Sequence, residues 1–215
     1  MKKLIIIGAG GHARSVIDIF QQMKEFEIVG CLDPCFKERK TVEYMEEIPI
    51  IGDDSFLELL DATKVEYVFV AVGNNRLRKK LIEKVRNIGS LKLATAVSPN
   101  AYVSSKARIG EGTCVMAGAV LNVNANVGSG VIINTNSSVD HDCIIEDYVH
   151  VAPGTAISGS TVVREGAHIG TGSSVIDGIQ VGTWSYVGAG AVVVKNIPSF
   201  VMVYGVPARI IKDIQ

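Results

Sequence analysis

His141 stands between two acids, Asp140 and Asp142. A carboxylate beside an imidazole fixes its tautomer and raises its basicity, which makes this triplet a candidate general base, and either acid can be the partner. Two more histidines, His150 and His168, follow in the same half of the chain. At the other end, Gly8-Ala9-Gly10-Gly11-His12-Ala13 follows an apolar run, and an acid, Asp33, closes the next one. Gly8-x-Gly10-x-x-Ala13 with that acid is the relaxed dinucleotide fingerprint, in which backbone N–H groups and a helix N-terminus receive phosphate. The same glycines also suit a turn that only packs a strand tightly on a helix. His12, at the mouth of the turn, is placed to donate to a phosphate or a sugar hydroxyl.

The elements that must position these groups can be read from the hydrophobic pattern. Lys3 to Ile7 reads as a strand, and Val16, Ile17 and Phe20 mark one face of the helix after the glycine turn. Glu27 to Leu32 and Tyr67 to Val72 read as further strands, the second ending in Gly73-Asn74-Asn75. Strands alternating with helices imply a small parallel sheet, a Rossmann-like α/β unit. Only one mononucleotide-binding half fits before the pattern changes, so a nucleotide or nucleotide sugar is expected here in preference to a redox cofactor. Residues 75–86 are basic, but Leu77, Leu81 and Val85 recur every fourth residue, so this reads as an amphipathic helix with a solvated basic face.

From Val97 to Val193 every sixth residue is Val, Ile or Leu, seventeen in succession. A period of six is neither helical nor simple strand alternation, so each hexad is one structural unit with its aliphatic residue inward. The residue four places later is mostly small or β-branched, as at Ala107, Thr113, Ala119, Ala125 and Ser137, which suits a tight inward corner. Gly110, Gly112, Gly128, Gly130, Asn134, Gly170, Gly172, Gly182 and Gly188 are expected to supply positive φ at the turns. The C-terminal half is therefore expected to be a β-solenoid, with domains over residues 1–95 and 96–215.

Lysine and arginine (21) balance aspartate and glutamate (22), which leaves no global field to draw nucleic acid or an anionic membrane surface. The apolar run after Lys2-Lys3 stops at Gly8, too short for a secretion signal, and no stretch approaches the length of a membrane span. Cys31, Cys35, Cys114 and Cys143 form neither a metal-binding pair of pairs nor a disulfide framework. Reduced thiols and a cytoplasmic location are expected.

The hexads closely resemble the left-handed parallel β-helix of the hexapeptide-repeat acyltransferases, in which three hexads make one triangular coil. Residues eighteen apart, such as His150 and His168, then stack at about 4.8 Å. With the Gly-x-Gly-Gly-His turn, Asp33 and Gly73-Asn74-Asn75, the whole chain resembles the bacterial sugar acetyltransferases of the bacillosamine, perosamine and sialic-acid type. The resemblance implies an N-terminal domain for the nucleotide-linked sugar, a solenoid for acetyl-CoA, and a homotrimer with the coenzyme in the groove between two subunits. It implies His141 as base with Asp142, the residue after it, in the usual partner position, where glutamate is often found. It further implies Asn134 orienting the acceptor, His150 contacting acetyl-CoA, and the backbone at Thr171 and Ala189 lining the coenzyme groove. Gly205-Val206-Pro207-Ala208-Arg209 resembles the family's closing motif and puts Arg209 near the coenzyme's phosphates. Gly10, Gly11, His12, Asp33, Pro34 and Gly73 would face the nucleotide sugar. Pro34 stands where some amino-sugar enzymes carry an acid.

The function implied is acetyl-CoA-dependent N-acetylation of a nucleotide-linked 4-amino sugar by direct transfer, with no metal. Two rivals remain open: O-acetylation of a sialic acid, and a non-enzymatic nucleotide-binding scaffold, which has no need of His141 between two acids. A third, a γ-class carbonic anhydrase with histidine-bound zinc, is disfavoured by histidine gaps of nine and eighteen residues and by the N-terminal domain.

Overall fold

Leu4 to Ile7 are all but inaccessible, and an apolar run without alternation belongs in a strand covered on both faces. That strand, β1 (Lys2–Ile7), is central. The computed structural model describes residues 1–34, 36, 43–53, 55–57 and 65–214; Cys35 lies outside them. After β1 come α1 (Gly11–Met23), β2 (Phe26–Leu32), β3 (Tyr44–Met45), β4 (Ile48–Gly52), β5 (Tyr67–Val70), α2 (Asn75–Ile88) and β6 (Lys92–Leu93). The sheet order is β3-β4-β2-β1-β5-β6. All neighbours are parallel except the β3–β4 hairpin. The hairpin is absent from the sequence reading, because Tyr44–Met45 is too short to show a period. Phe20 of α1 meets Phe26 and Phe69 edge to face, with centroids 5.2 and 5.3 Å apart.

One expectation for α2 is corrected. Leu77 is 46% exposed, and the inward face carries Arg78, Leu81, Ile82 and Val85. Arg78, on the supposedly solvated basic face, is among the largest wholly buried side chains. Its Nη1 donates to the carbonyls of Val72 and Gly73, both at 3.1 Å, and its Nη2 to Asn75 Oδ1 at 3.0 Å. A buried guanidinium demands such partners, and the chain end of β5 supplies them.

The chain divides into two compact units, Met1–Pro99 and Asn100–Gln215. In the second, two-residue strands recur every six residues and pair in parallel with those eighteen residues on, as in Ile132 with His150, His150 with His168 and His168 with Tyr186. From Val115 to Val193 every sixth-residue aliphatic is at most 2% exposed. Each such side chain removed from water contributes about 1.5–3 kcal/mol. Val103 and Ile109 are only half-buried, because the first coil has a second coil on one side only. Thr113, Ser137, Thr155, Thr161, Ser173 and Ser185 are buried at the corners, where hydroxyls bond carbonyls of the chain, as Thr155 Oγ1 does to Gly170 O at 3.0 Å.

Of the nine turn residues expected at positive φ, only Gly112, Gly130 and Gly172 adopt it. From Ile109 to Val187, positive φ falls at the third residue after each aliphatic, at Gly112, Gly118, Asn124, Gly130, Asn136, Asp142, Tyr148 and onward to Gly190. Gly110, Gly128, Gly170, Gly182, Gly188 and Asn134 are not among the positive-φ residues. These glycines directly follow the aliphatic and answer a different need. A Cβ on Gly110 or Gly170 would lie 2.5 Å from the backbone of the next coil, and one on Gly188 would enter the Tyr204 ring.

Candidate active site

His141 sits two places after the inward Val139, on the turn that Asp142 makes with φ 59°. Aspartate tolerates this left-handed conformation better than most residues. The turn folds the Asp142 carboxylate back, so that His141 Nδ1 lies 2.9 Å from Asp142 Oδ2. Asp140 does a different job: its Oδ1 accepts the His141 backbone N–H at 2.8 Å. Of the two acids flanking the imidazole, Asp142 is thus the one bonded to the ring. With Nδ1–H donating to the carboxylate, Nε2 is left with its lone pair free to take a proton.

The Asp142 hydrogen bond, aided by the charge of Asp140, holds the His141 pKa above the usual imidazole value. Asp142 is held below the usual carboxylate range by hydrogen bonds from Asn124 and His141. Both side chains are about half exposed, at 53% and 52%. Asn124 Nδ2 donates to Asp142 Oδ1 at 2.9 Å, and Asn122 Nδ2 to Asp140 Oδ1 at 2.9 Å. The Asn122-Val123-Asn124 turn therefore lies one coil beneath Asp140-His141-Asp142 and braces both acids. The sequence reading missed these asparagines, although the eighteen-residue period locates them.

Cys143 is buried, and its thiol donates to Ser158 O at 3.2 Å. Burial pushes its pKa up, the opposite of what an acyl-carrying nucleophile needs. Among the described residues no group of three or more His, Cys, Asp or Glu side chains is placed to hold a metal ion.

On a wall of the solenoid, His150, His168 and Tyr186 form a column of rings, His150 edge-on to His168 at 4.8 Å and His168 stacked on Tyr186 at 4.4 Å. Asn134 Nδ2 lies 3.1 Å from His150 Nε2, which joins these two candidate residues. Thr171 and Ala189 are exposed on one corner. The Gly190 N–H donates to Thr171 O and the Gly172 N–H to Pro153 O, so positions 153, 171 and 189 stack. Arg209 is exposed in the strand Arg209–Asp213, and its Nη1 donates to Ala208 O at 2.9 Å.

In the N-terminal unit, Gly10, Gly11, His12, Asp33, Pro34 and Gly73 line one cleft of about 430 Å³, together with Leu77 and Leu81. Gly10 is the N-cap of α1 and supplies no side-chain cap, which leaves the helix N-terminus open to an anion. Asp33 Oδ2 accepts the Ala9 N–H at 3.0 Å, which ties the glycine turn to the end of β2. Burial, with the nearby Arg78 charge, pushes the His12 pKa down to about 4. That shift favours the neutral imidazole in this cleft, a hydrogen-bonding group without charge.

Residues 3–85 match the family described as the PglD N-terminal domain. Over 117 residues the chain is 41% identical to the UDP-N-acetylbacillosamine N-acetyltransferase of Bacillus subtilis (strain 168), a match that takes in 54% of this chain. It spans about half the length of that curated relative, 52%. A solved structure of a perosamine N-acetyltransferase from Caulobacter crescentus, a histidine-to-asparagine mutant in complex with CoA and GDP-perosamine, superposes with a TM-score of 0.93. It is 38% identical, with 99% of this chain and 98% of that one covered. The acetyltransferase domain of PglB from Neisseria gonorrhoeae FA1090, in complex with acetyl coenzyme A, gives a TM-score of 0.91 at 37% identity, over 98% of this chain and 99% of that one.

Proposed function

The chain belongs to the hexapeptide-repeat sugar acetyltransferases of the bacillosamine and perosamine type, built on a left-handed parallel β-helix, and from that premise we propose that it transfers acetyl from acetyl-CoA to the amine of a nucleotide-linked 4-amino sugar. The single observation that carries this reading is the 2.9 Å contact of His141 Nδ1 with Asp142 Oδ2, which leaves Nε2 as a proton acceptor. Whole-length likeness to an enzyme solved with CoA and GDP-perosamine supports the substrate pair.

In the reaction, the free amine attacks the thioester carbonyl and forms the C–N bond, while His141 Nε2 takes the amine proton. Collapse of the tetrahedral intermediate breaks the C–S bond, and the imidazolium returns a proton to the leaving sulfur, so the products are the amide and free CoA thiol. The buried, hydrogen-bonded Cys143 favours this direct route over an acyl-enzyme. The 1–95 domain takes the nucleotide sugar, with Gly10, Gly11 and the α1 N-terminus on its phosphates and His12, Asp33, Pro34 and Gly73 around it. The 96–215 domain takes acetyl-CoA, with His150, Thr171 and Ala189 along the coenzyme and Arg209 at its phosphates. Asn134 orients the acceptor.

The functional unit in this reading is a cytoplasmic homotrimer, which encloses the half-exposed His141 when substrates bind. Light scattering tests it, with three chains expected and an active monomer contrary. The activity is tested by CoA release from acetyl-CoA with UDP-, GDP- and dTDP-linked 4-amino sugars and with sialic acids. Turnover with one amino sugar is expected. Turnover with a sialic acid alone would make the enzyme an O-acetyltransferase, and no turnover with any acceptor would favour the scaffold.

A further inference from the structure

The column of residues that contains His141 runs, one per coil, through Val123, His141, Gly159 and Asp177. Gly159 has no backbone reason to be glycine, since its φ lies outside the left-handed region. A Cβ there would meet His141 Cε1 at 2.6 Å, Nε2 at 2.7 Å and Nδ1 at 3.1 Å, and these are its three nearest heavy atoms. The imidazole thus lies directly on the bare backbone of the coil above. From the coil below, Asn124 Nδ2 holds Asp142 Oδ1 at 2.9 Å and leaves Oδ2 to hold His141 Nδ1 at 2.9 Å.

We propose that Asn124 and Gly159 are positioning residues that clamp His141 between adjacent coils, Asn124 by fixing the rotamer of Asp142 and Gly159 by giving the ring a flat seat. The proposal rests on His141 being the base, and it explains how an exposed side chain keeps one orientation. Asp142 and His141 are each about half exposed and would otherwise exchange rotamers freely. Neither clamp residue needs to touch substrate for this role.

The test uses Asn124→Gly, which keeps the left-handed turn (φ 60°) while deleting the amide, and Gly159→Ala. Asn136→Gly, at the same hexad position with φ 54°, is the control. The His141 imidazole is titrated by NMR, its signal assigned by its loss in His141→Asn. The expected result is a pKa raised in the wild type and in Asn136→Gly, falling toward the ordinary value of about 6.5 in Asn124→Gly and Gly159→Ala. The acidic limb of the rate profile moves to lower pH with it, and kcat falls about 10- to 100-fold, as small misplacements of a reacting group do. The loss of Tm in Gly159→Ala is expected to vanish in a His141→Ala background, where the seat is empty.

A His141 titration unchanged in both variants would overturn the clamp, as would an equal Tm loss from Gly159→Ala in both backgrounds. A His141→Asn enzyme with full transfer rate would sink the base assignment instead, while the titration shifts would still support the clamp.

Discussion

Asn124 and Asp142 are eighteen residues apart and one coil apart, joined by a 2.9 Å hydrogen bond. The carboxylate bonded to His141 is therefore anchored to a neighbouring turn of the solenoid, and the imidazole takes its geometry from the period of the fold. Sites built on such regular elements hold their side chains more closely than loops do.

Asp142→Asn is expected to lower both the rate and the His141 pKa. A base works only when deprotonated, so kcat/KM rises with pH through the pKa of His141, which Asp142 holds above the usual value. In Asp142→Asn this limb moves to lower pH, while the plateau falls at least about tenfold, a share of the roughly 10²–10⁴ that a positioned base supplies. A pH–rate profile checks both. An unshifted limb with a full plateau would remove Asp142 from the mechanism.

His12 makes stability depend on pH. Its folded pKa, about 4, lies below the unfolded value of 6.5. Between those values the unfolded chain binds a proton that the folded chain refuses, so the contribution of His12 is complete above pH 6.5 and is lost as pH falls toward 4. The loss amounts to about 3 kcal/mol at most. Urea unfolding at a series of pH values measures it, and His12→Asn is expected to flatten that region of the slope.

Arg78→Leu leaves the Val72 and Gly73 carbonyls without their buried donor. A stability loss of about 3 kcal/mol is expected, at about 1–3 per orphaned group. Because Gly73 lines the N-terminal cleft, KM for the nucleotide sugar should rise several-fold while KM for acetyl-CoA holds. Equal changes in the two would contradict the division of substrates between the domains.

Two glycine substitutions separate the two uses of glycine in the solenoid. Gly178→Ala meets nothing within 4 Å but carries φ 66°, so it costs about 1 kcal/mol of backbone strain. Gly110→Ala puts a Cβ 2.5 Å from the backbone of the next coil and must push adjacent coils apart, which costs more, about 3 kcal/mol. Thermal unfolding ranks them, and the reverse order would contradict this assignment.

The solenoid was legible because an inward aliphatic every sixth residue leaves a mark in any one sequence, and β1 because Leu4 to Ile7 is a continuous apolar run. The β3–β4 hairpin left no such mark, with two residues in one strand and Pro49 in the other. Arg78 was misread because charge on a helix normally faces water, and only the tertiary positions of the Val72 and Gly73 carbonyls show why it does not. At the candidate site, the acid–histidine–acid triplet was visible, but the residues by themselves left either acid as the partner of the ring, and only the family resemblance pointed to Asp142. That choice is set by the left-handed turn at Asp142. Asn122, Asn124 and Gly159 could have been found by stepping eighteen residues from His141 and its neighbours. They leave no mark along the chain, because the contacts they make run across the coils.

The assignment of His141 as the base is tested most sharply by the single-turnover rate of acetyl transfer in His141→Asn, measured with saturating acetyl-CoA and the amino sugar identified by the acceptor panel. The expected rate is lower by about 10²–10⁴, with both substrates still bound. A rate equal to the wild type would contradict the assignment.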